Sequence, residues 1–311
     1  MSYTDLLTIA MPVYNRKDYF LEALESAINQ TVKCKIIVVD NCSPHNYFRD
    51  ICREKGVTYY RNETNIGMSP NFNRCFELAD TEYVQTLQDD DILAPNYVEA
   101  FRDAVSKHPD VDVFFTDFVR NTPAGKLPHS HVFPFGYMKN GEKVIEYGVK
   151  YKLGFPYLNS SIRRNKFTGF YTKYQGSNDW VWIYENADKF VFYGDSRVLY
   201  QFRQHDNQDT GNNNLNYKFT LPYIYDAILK EKTSDPKVKK LASHHAFWTL
   251  IQLKSAANKK NINDFIQQDN IFSLYLKNKL ETDPWVRTIF GMPRGMVDLI
   301  YRSLRKVGLS G

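Results

Sequence analysis

Thr86-Leu87-Gln88-Asp89-Asp90-Asp91-Ile92-Leu93-Ala94-Pro95 is the stretch on which the reading of the fold turns. The apolar run from Tyr83 to Leu87 predicts a buried strand, and it stops in three consecutive carboxylates. Beyond them Pro95 stands where the first turn of a helix accepts proline. Adjacent carboxylates repel one another unless a cation or a ligand compensates them. Oxygen ligands at a strand end suit a hard divalent ion that also holds phosphate oxygens. The plain alternative is a solvated acidic turn that caps the next helix.

Outward from this stretch, strand and helix patterns alternate. Thr8 to Met11 predicts a first strand, closed by Pro12-Val13-Tyr14-Asn15-Arg16. Asn15 suits a helix cap with Asp18 as its capping-box partner, ahead of a helix running to Gln30. Ile36 to Val39 is a continuous apolar run, as in a strand covered on both faces, and it ends at Asp40-Asn41. A polar helix from Tyr47 to Lys55 and a strand from Val57 to Tyr60 follow. After the loop Asn65-Ile66-Gly67, Ser69-Pro70 reads as the start of a helix carrying Phe72, Asn73 and Phe76. A helix over 96–106 leads to a strand from Val111 to Phe115 that ends at Thr116-Asp117. This alternation predicts an α/β fold, a mostly parallel sheet flanked by helices. Ligands of such sheets bind outside the carboxyl ends of the strands. Here those ends are Pro12 to Arg16, Asp40-Asn41, Gln88 to Asp91 and Thr116-Asp117, all polar and all expected on one edge.

The stretch 121–150 is rich in Pro, Gly and His and reads as a surface loop or a lid. Tyr157 to Ile162 suggests a strand presenting small polar groups. Ser177-Asn178-Asp179-Trp180-Val181-Trp182 sets an acid beside two tryptophans. A strand from Val198 to Phe202 ends in Arg203-Gln204-His205. Gly211-Asn212-Asn213-Asn214 marks a break in composition, so the chain is divided into 1–210 and 211–311. The second part predicts helices over 217–230, 236–254 and 262–280. At its end Met296, Ile300, Leu304 and Val307 fall on one face, with Arg287, Arg294, Arg302, Arg305 and Lys306 around them. A basic amphipathic helix of this kind suits an anionic membrane surface; packing on its own domain is the alternative.

Composition narrows the classes. The 311 residues carry a net charge of +5, a mild excess that does not point to nucleic acid. Hydrophobic residues reach 43% and aromatics 15%, enough for a sizeable core with rings left for sugar or base stacking. The four cysteines, Cys34, Cys42, Cys52 and Cys75, lack C-x-x-C spacing and read as free thiols in a reducing compartment. Neither a signal peptide nor a membrane span is expected, so the chain is expected in the cytoplasm; the basic amphipathic end adds the expectation of peripheral contact with the inner face of the plasma membrane.

In order along the chain, Pro12-Val13-Tyr14-Asn15, Val39-Asp40-Asn41-Cys42-Ser43, Asn65-Ile66-Gly67, Leu87-Gln88-Asp89-Asp90-Asp91-Ile92-Leu93, Asn178-Asp179 and Tyr200-Gln201-Phe202-Arg203-Gln204-His205 resemble the GT-A glycosyltransferases of family 2. The resemblance covers roughly residues 4–210. It implies a GT-A, Rossmann-like fold, a nucleotide-sugar donor (most often a UDP-sugar), Mn²⁺ or Mg²⁺, and inversion at the anomeric carbon. By position it implies that Asp179 is the catalytic base. It puts Pro12, Tyr14, Asn15, Arg16, Asp40, Asn41, Asn65, Gly67, Asn73, Gln88, Asp89 and Arg203 around the donor, with Asp40 facing the base. Arg203 either steadies the diphosphate with its fork of donors or pairs with an acid. Asp90, Asp91 and His205 are the implied metal site, although the ligand could be any one or two of the three acids. Trp180 and Trp182 are set at the acceptor, and core packing is the other use for either. The family usually has Asp where this chain has Gln88, and its Glu-Asp base motif appears here as Asn178-Asp179. The acceptor implied is a glycan or lipid-linked glycan, as in O-antigen, lipopolysaccharide or capsule synthesis. The rival readings are an inactive glycosyltransferase-like scaffold and a sugar nucleotidyltransferase. The second lacks its glycine-rich phosphate loop, since Pro12 to Lys17 contains no glycine.

Overall fold

The computed structural model describes residues 6–129, 132–155, 157–173, 176–205 and 215–306. The chain divides into two units. One takes Met1–Lys143, Phe155–Phe170 and Lys189–Gln208; the other takes Val144–Gly154, Tyr171–Asp188 and Asp209–Gly311. Two inner segments thus group with the C-terminal helices, which a single cut at 210 does not anticipate. The Gly211–Asn214 break itself lies outside the described residues.

The first unit is built on one sheet. Its strands are β1 (Leu7–Val13), β2 (Lys35–Asp40), β3 (Thr58–Arg61), β4 (Tyr83–Thr86), β5 (Ile92–Leu93), β6 (Val113–Thr122), β7 (Gly125–Pro128), β8 (Gly136–Met138), β9 (Ser160–Arg163) and β10 (Phe192–Arg203). They are ordered β3-β2-β1-β4-β9-β6-β10-β5, with β7 on β6 and β8 on β10. The half β3-β2-β1-β4 is parallel, as the continuous apolar runs require. The other half is mixed, because β9 runs antiparallel between β4 and β6 while β10 is parallel to β6.

Helices α1 (Phe20–Ile28), α2 (Tyr47–Lys55), α3 (Met68–Leu78) and α4 (Tyr97–Lys107) connect these strands. Their apolar faces close on a core that includes Ile9, Met11, Phe20, Val38, Phe48, Phe101 and Phe114. Each such side chain removed from water contributes roughly 1.5–3 kcal/mol. The small polar residues near β9 face inward. Tyr97 Oη donates to Gln85 Oε1 at 2.5 Å and lies 2.9 Å from Ser161 Oγ, which gives these buried groups partners inside the core.

Several expected elements shift. Asn15 does not cap α1, which starts at Phe20 without a side-chain cap, and Asn15 adopts φ +60 instead. The triple acid runs first into the short strand β5, and α4 begins only at Tyr97, so Pro95 stands before the helix. The strand expected to end at Thr116-Asp117 continues to Thr122, with a register shift against β10 at Asp117. The stretch 121–150 is more structured than a loop, holding β7, β8 and α5 (Glu142–Lys150).

The second unit is helical. It holds most of α5, α6 (Asn178–Asn186), α7 (Leu215–Tyr223), a π-helical turn (Ile224–Leu229), α8 (Lys230–Lys232), α9 (Pro236–Ala256), α10 (Lys259–Ile266), α11 (Ile271–Thr282), α12 (Pro284–Gly291) and α13 (Arg294–Lys306). The single helix expected over 262–280 is two, because Asn258 and Asn270 each build a capping box that starts a new helix. On α13 the inward face is Val297, Tyr301 and Leu304, packed on Trp248 and Ile251 of α9. Met296 and Ile300 point outward instead of sharing a face with Leu304, and Val307 lies outside the described residues.

Gly194 on β10 tests the packing of the first unit. A Cβ there would meet Phe115 Cζ at 2.6 Å and the backbone of Phe135 at 3.0 Å. Gly194→Ala should cost about 1–3 kcal/mol through overpacking, read as a lower urea midpoint. Gly295→Ala, on α13 with open space around it, should not lower that midpoint.

Candidate functional site

At the carboxyl end of β4 the chain turns through Gln88-Asp89-Asp90-Asp91, and Asp91 N donates back to Gln88 O at 3.3 Å. This turn buries all three acids. The structure gives them different partners.

Asp91 is fully enclosed. Its Oδ2 accepts from Tyr200 Oη at 2.5 Å and its Oδ1 from Arg203 N at 2.9 Å. Burial, and then the neighbouring Asp90, push its carboxyl well above the usual carboxylate range, opposed by these two hydrogen bonds. Both oxygens of Asp91, expected at the metal, are engaged, and the side chain serves as the post that joins the acidic turn to β10.

Asp89 and Asp90 face the other way, toward cations. The Arg16 guanidinium donates to Asp89 Oδ1 and lies 2.9 Å from Asp90 Oδ2. His205 Nε2 is 3.0 Å from the same Asp90 oxygen and 3.5 Å from Arg16 Nη1. Arg203, a candidate for the diphosphate, takes the alternative of pairing with an acid. Its Nε donates to Asp90 O at 2.8 Å, its far nitrogen pairs with Glu22, and its plane lies 4.5 Å from the Tyr19 ring centre. Arg203 thereby fixes the backbone of the turn. The ring of His205 rests 4.9 Å from that of Tyr19. Tyr19 and Glu22 are supporting residues outside the motifs read from the sequence, whereas Tyr200 opens the motif that runs to His205.

The loop after β1 aims Arg16. Asn15 N donates to Ser43 Oγ at 2.9 Å, and His45 Nε2 lies 3.1 Å from Asn15 O. Pro12 is buried within β1, whereas the Tyr14 ring is 46% exposed and open to stacking. Asp40, expected to face a base, is fully buried. It accepts from Ser43 N and Oγ and from Tyr59 Oη, so it shapes the turn at 40–43. Asn41 is likewise saturated, bonding Asn65 Oδ1, Gly67 O, Asn62 and Ile66 N. It pins the loop that carries Asn65 and Gly67, whose φ of +92 suits glycine. Asn73 clasps the backbone N–H and C=O of Phe170, a structural use in place of donor contact.

Gln88 stands where an acid is usual. Its Nε2 is buried with no hydrogen-bond partner among the described residues. A buried amide donor left this way costs about 1–3 kcal/mol, and an oxygen of a bound ligand would satisfy it. Among the described residues no cluster of three His, Cys, Asp or Glu is already arranged as a cation cage. The donor chemistry nevertheless fits one. Two carboxylates and an imidazole converge on a single cationic group, and the carboxylate oxygens suit Mn²⁺ or Mg²⁺.

Asp179, Trp180 and Trp182 belong to the helical unit. Asp179 lies in the first turn of α6, whose cap position is Ser177. Loss of water around it pushes its carboxyl up to about 6, against the pull of the backbone N–H groups of Trp180 and of Asp179 itself. Trp180 is half-buried, edge-on to Tyr217 with ring centres 5.4 Å apart. Trp182, expected at the acceptor or in the core, is buried in the core of this unit.

Known proteins agree with this architecture. The model of the family described as glycosyl transferase family 2 matches residues 8–170, just over half of the chain. An uncharacterized glycosyltransferase of Rickettsia typhi is 25% identical over 321 residues, spanning 99% of this chain and 94% of that protein. The putative colanic acid biosynthesis glycosyl transferase WcaA of Escherichia coli is 29% identical over 106 residues, 32% of this chain and 38% of that one. The crystal structure of S. aureus TarS residues 1–349 in complex with UDP-GlcNAc has a TM-score of 0.67 at 15% identity, covering 96% of this chain and 92% of that one. That likeness is one of fold and takes in C-terminal helices as well as the sheet. The parallel half-sheet, the acidic turn at the carboxyl end of β4 and the family match together identify the chain as a member of glycosyl transferase family 2, a glycosyltransferase of GT-A fold.

Proposed function

We propose that the chain is an inverting, metal-dependent glycosyltransferase. It moves a sugar from a nucleotide-sugar, a UDP-sugar first among them, to a glycan or lipid-linked glycan in bacterial surface polysaccharide assembly. The observation that carries this reading is the convergence of Asp89, Asp90 and His205 on one cationic position at the end of β4. The UDP-GlcNAc bound by TarS and the colanic acid pathway of WcaA support the donor and the product class.

Asp89, Asp90 and His205 would hold Mn²⁺ or Mg²⁺. Held there, such an ion would supply positive charge to offset the negative charge that grows on the departing diphosphate. Gln88 Nε2 donates to a donor oxygen, and the exposed Tyr14 ring lies against the nucleoside. Asp179 accepts the proton of the acceptor hydroxyl as attack proceeds, a contribution of ~10²–10⁴-fold. Trp180 offers its half-buried face to the acceptor sugar.

Two measurements test this. Thermal unfolding with UDP, GDP, dTDP or CMP, each with and without Mn²⁺, should show one nucleotide stabilising the protein in a Mn²⁺-dependent manner. At ~100 times its dissociation constant that nucleotide adds about 2.7 kcal/mol. No shift with any nucleotide would remove the donor assignment. For Asp179, kcat/KM should fall as pH drops below about 6, where the carboxyl takes up its proton. Asp179→Asn should bind donor and lose transfer; normal transfer removes Asp179 as base. Between the unfolded carboxyl value of about 3.9 and the folded one of about 6, the folded chain holds a proton that the unfolded chain lacks. The contribution of Asp179 to stability therefore declines as pH rises through this window. Asp179→Asn should consequently unfold at a higher temperature than the parent at pH 8, and the gap should narrow toward pH 4.

The outer face of α13 supports a location against the inner membrane surface. No helix of the described residues is long and apolar enough to cross a membrane. On α13, Met296, Leu299 and Ile300 are exposed, Leu299 at 67%, in a helix that also carries Arg294 and Arg302; Trp285 on α12 is 74% exposed. Apolar groups beside cations complement an anionic lipid surface. Because the other face of α13 covers Trp248, truncation would open the core, and substitution is the cleaner probe. Replacing Met296, Leu299 and Ile300 with Ser should reduce sedimentation with phosphatidylglycerol-containing vesicles severalfold. Unchanged sedimentation would remove the membrane assignment.

A further inference from the structure

The position on which Asp89, Asp90 and His205 converge is filled by a side chain of the protein itself. Arg16 pairs with Asp89 and lies 2.9 Å from Asp90 Oδ2, the oxygen that His205 also approaches. The three partners are nearly enclosed: Asp89 is 8% exposed, Asp90 10% and His205 9%. Two adjacent carboxylates in such a place cannot both stay ionised cheaply without a counter-charge. Arg16 supplies one, and its Nη2 reaches an oxygen of each acid. A divalent ion needs those same oxygens. It would also stand within a few ångströms of a guanidinium that never loses its charge. The two cations therefore exclude one another.

We infer that Arg16 is a resident counter-cation. It holds the acidic turn in the metal-free protein, yields Asp89 and Asp90 to the divalent ion, and transfers to the diphosphate of the incoming nucleotide. The loop that carries it is anchored through Asn15 to Ser43. The exchange is then a movement of the Arg16 side chain over a fixed backbone. A displaced guanidinium needs another anion, and a nucleoside diphosphate brings one. Metal and nucleotide consequently bind with positive coupling, each making room for the other, and the coupling is reciprocal. This inference rests on the metal-dependent reading above and adds the competitor built into the site.

Electron paramagnetic resonance of free Mn²⁺ measures the exchange without turnover. Wild type, Arg16→Gln, Arg16→Lys and Asp90→Asn are each titrated with Mn²⁺, alone and with UDP. Arg16→Gln should bind Mn²⁺ alone about tenfold or more tightly than wild type, and Arg16→Lys should fall between them. UDP should raise Mn²⁺ affinity strongly in wild type and much less in Arg16→Gln. Without metal, Arg16→Gln should unfold at a lower temperature, and Mn²⁺ should restore it. If Arg16→Gln is too unstable to titrate, Arg16→Lys carries the comparison. Equal or weaker Mn²⁺ binding by the Arg16 variants, with wild type still binding Mn²⁺ in the presence of UDP and Asp90→Asn failing to, overturns the counter-cation while leaving the metal reading intact. No Mn²⁺ binding by any of the four, with or without UDP, overturns both.

Discussion

Packing three carboxylates into one buried turn is the constraint on which the first unit depends. Water cannot reach them well enough to solvate three charges, so the protein must supply partners. It does so in two directions. Asp91 turns inward to Tyr200 and the backbone of Arg203, while Asp89 and Asp90 turn toward Arg16 and His205. The same few contacts bind β10 to the end of β4 and fix the loop after β1. Structure and chemistry are thereby coupled here: the groups that keep the turn folded are those that set the charge presented to a ligand.

The parallel half of the sheet was legible because continuous apolar runs such as Ile36 to Val39 admit few other readings. The acidic turn stood out for the same reason, as charge ending an apolar run. What the sequence concealed was mostly partner choice. Nothing local in Asp89-Asp90-Asp91 says that the third acid faces inward, since that depends on Tyr200, more than a hundred residues away. Asp40, Asn41 and Asn73 read as ligand-facing polar groups, yet each is spent on backbone or side-chain groups of the fold. Trp182 beside an acid suggested a sugar platform, but neighbouring positions on a helix point apart, and only Trp180 is left near the surface.

Mixed strands and split helices were missed for other reasons. A strand is expected over Tyr157 to Ile162, where β9 lies, but its antiparallel place between β4 and β6 is a long-range choice. The division of 262–280 came from Asn270, whose cap is plain in the structure but competes in the sequence with an unbroken apolar rhythm. The helical unit draws Val144–Gly154 and Tyr171–Asp188 from the middle of the chain. No change in composition marks those crossings, so a boundary read from composition alone does not find them.

The antiparallel strand β9 also sets a timetable. Until residues near 163 have left the ribosome, β4 and β6 each present an open edge that β9 alone is shaped to close. The apolar half-sheet forms early from local crossovers, whereas the pairing of β9 with both neighbours spans long loops and comes late. A nascent chain paused between β6 and β9 would therefore leave an edge of β4 unpaired and β6 without β9 or β10. Such edges are templates for strand addition between chains. The yield of folded protein should then depend on how quickly this interval is translated, a control that acts before any site exists.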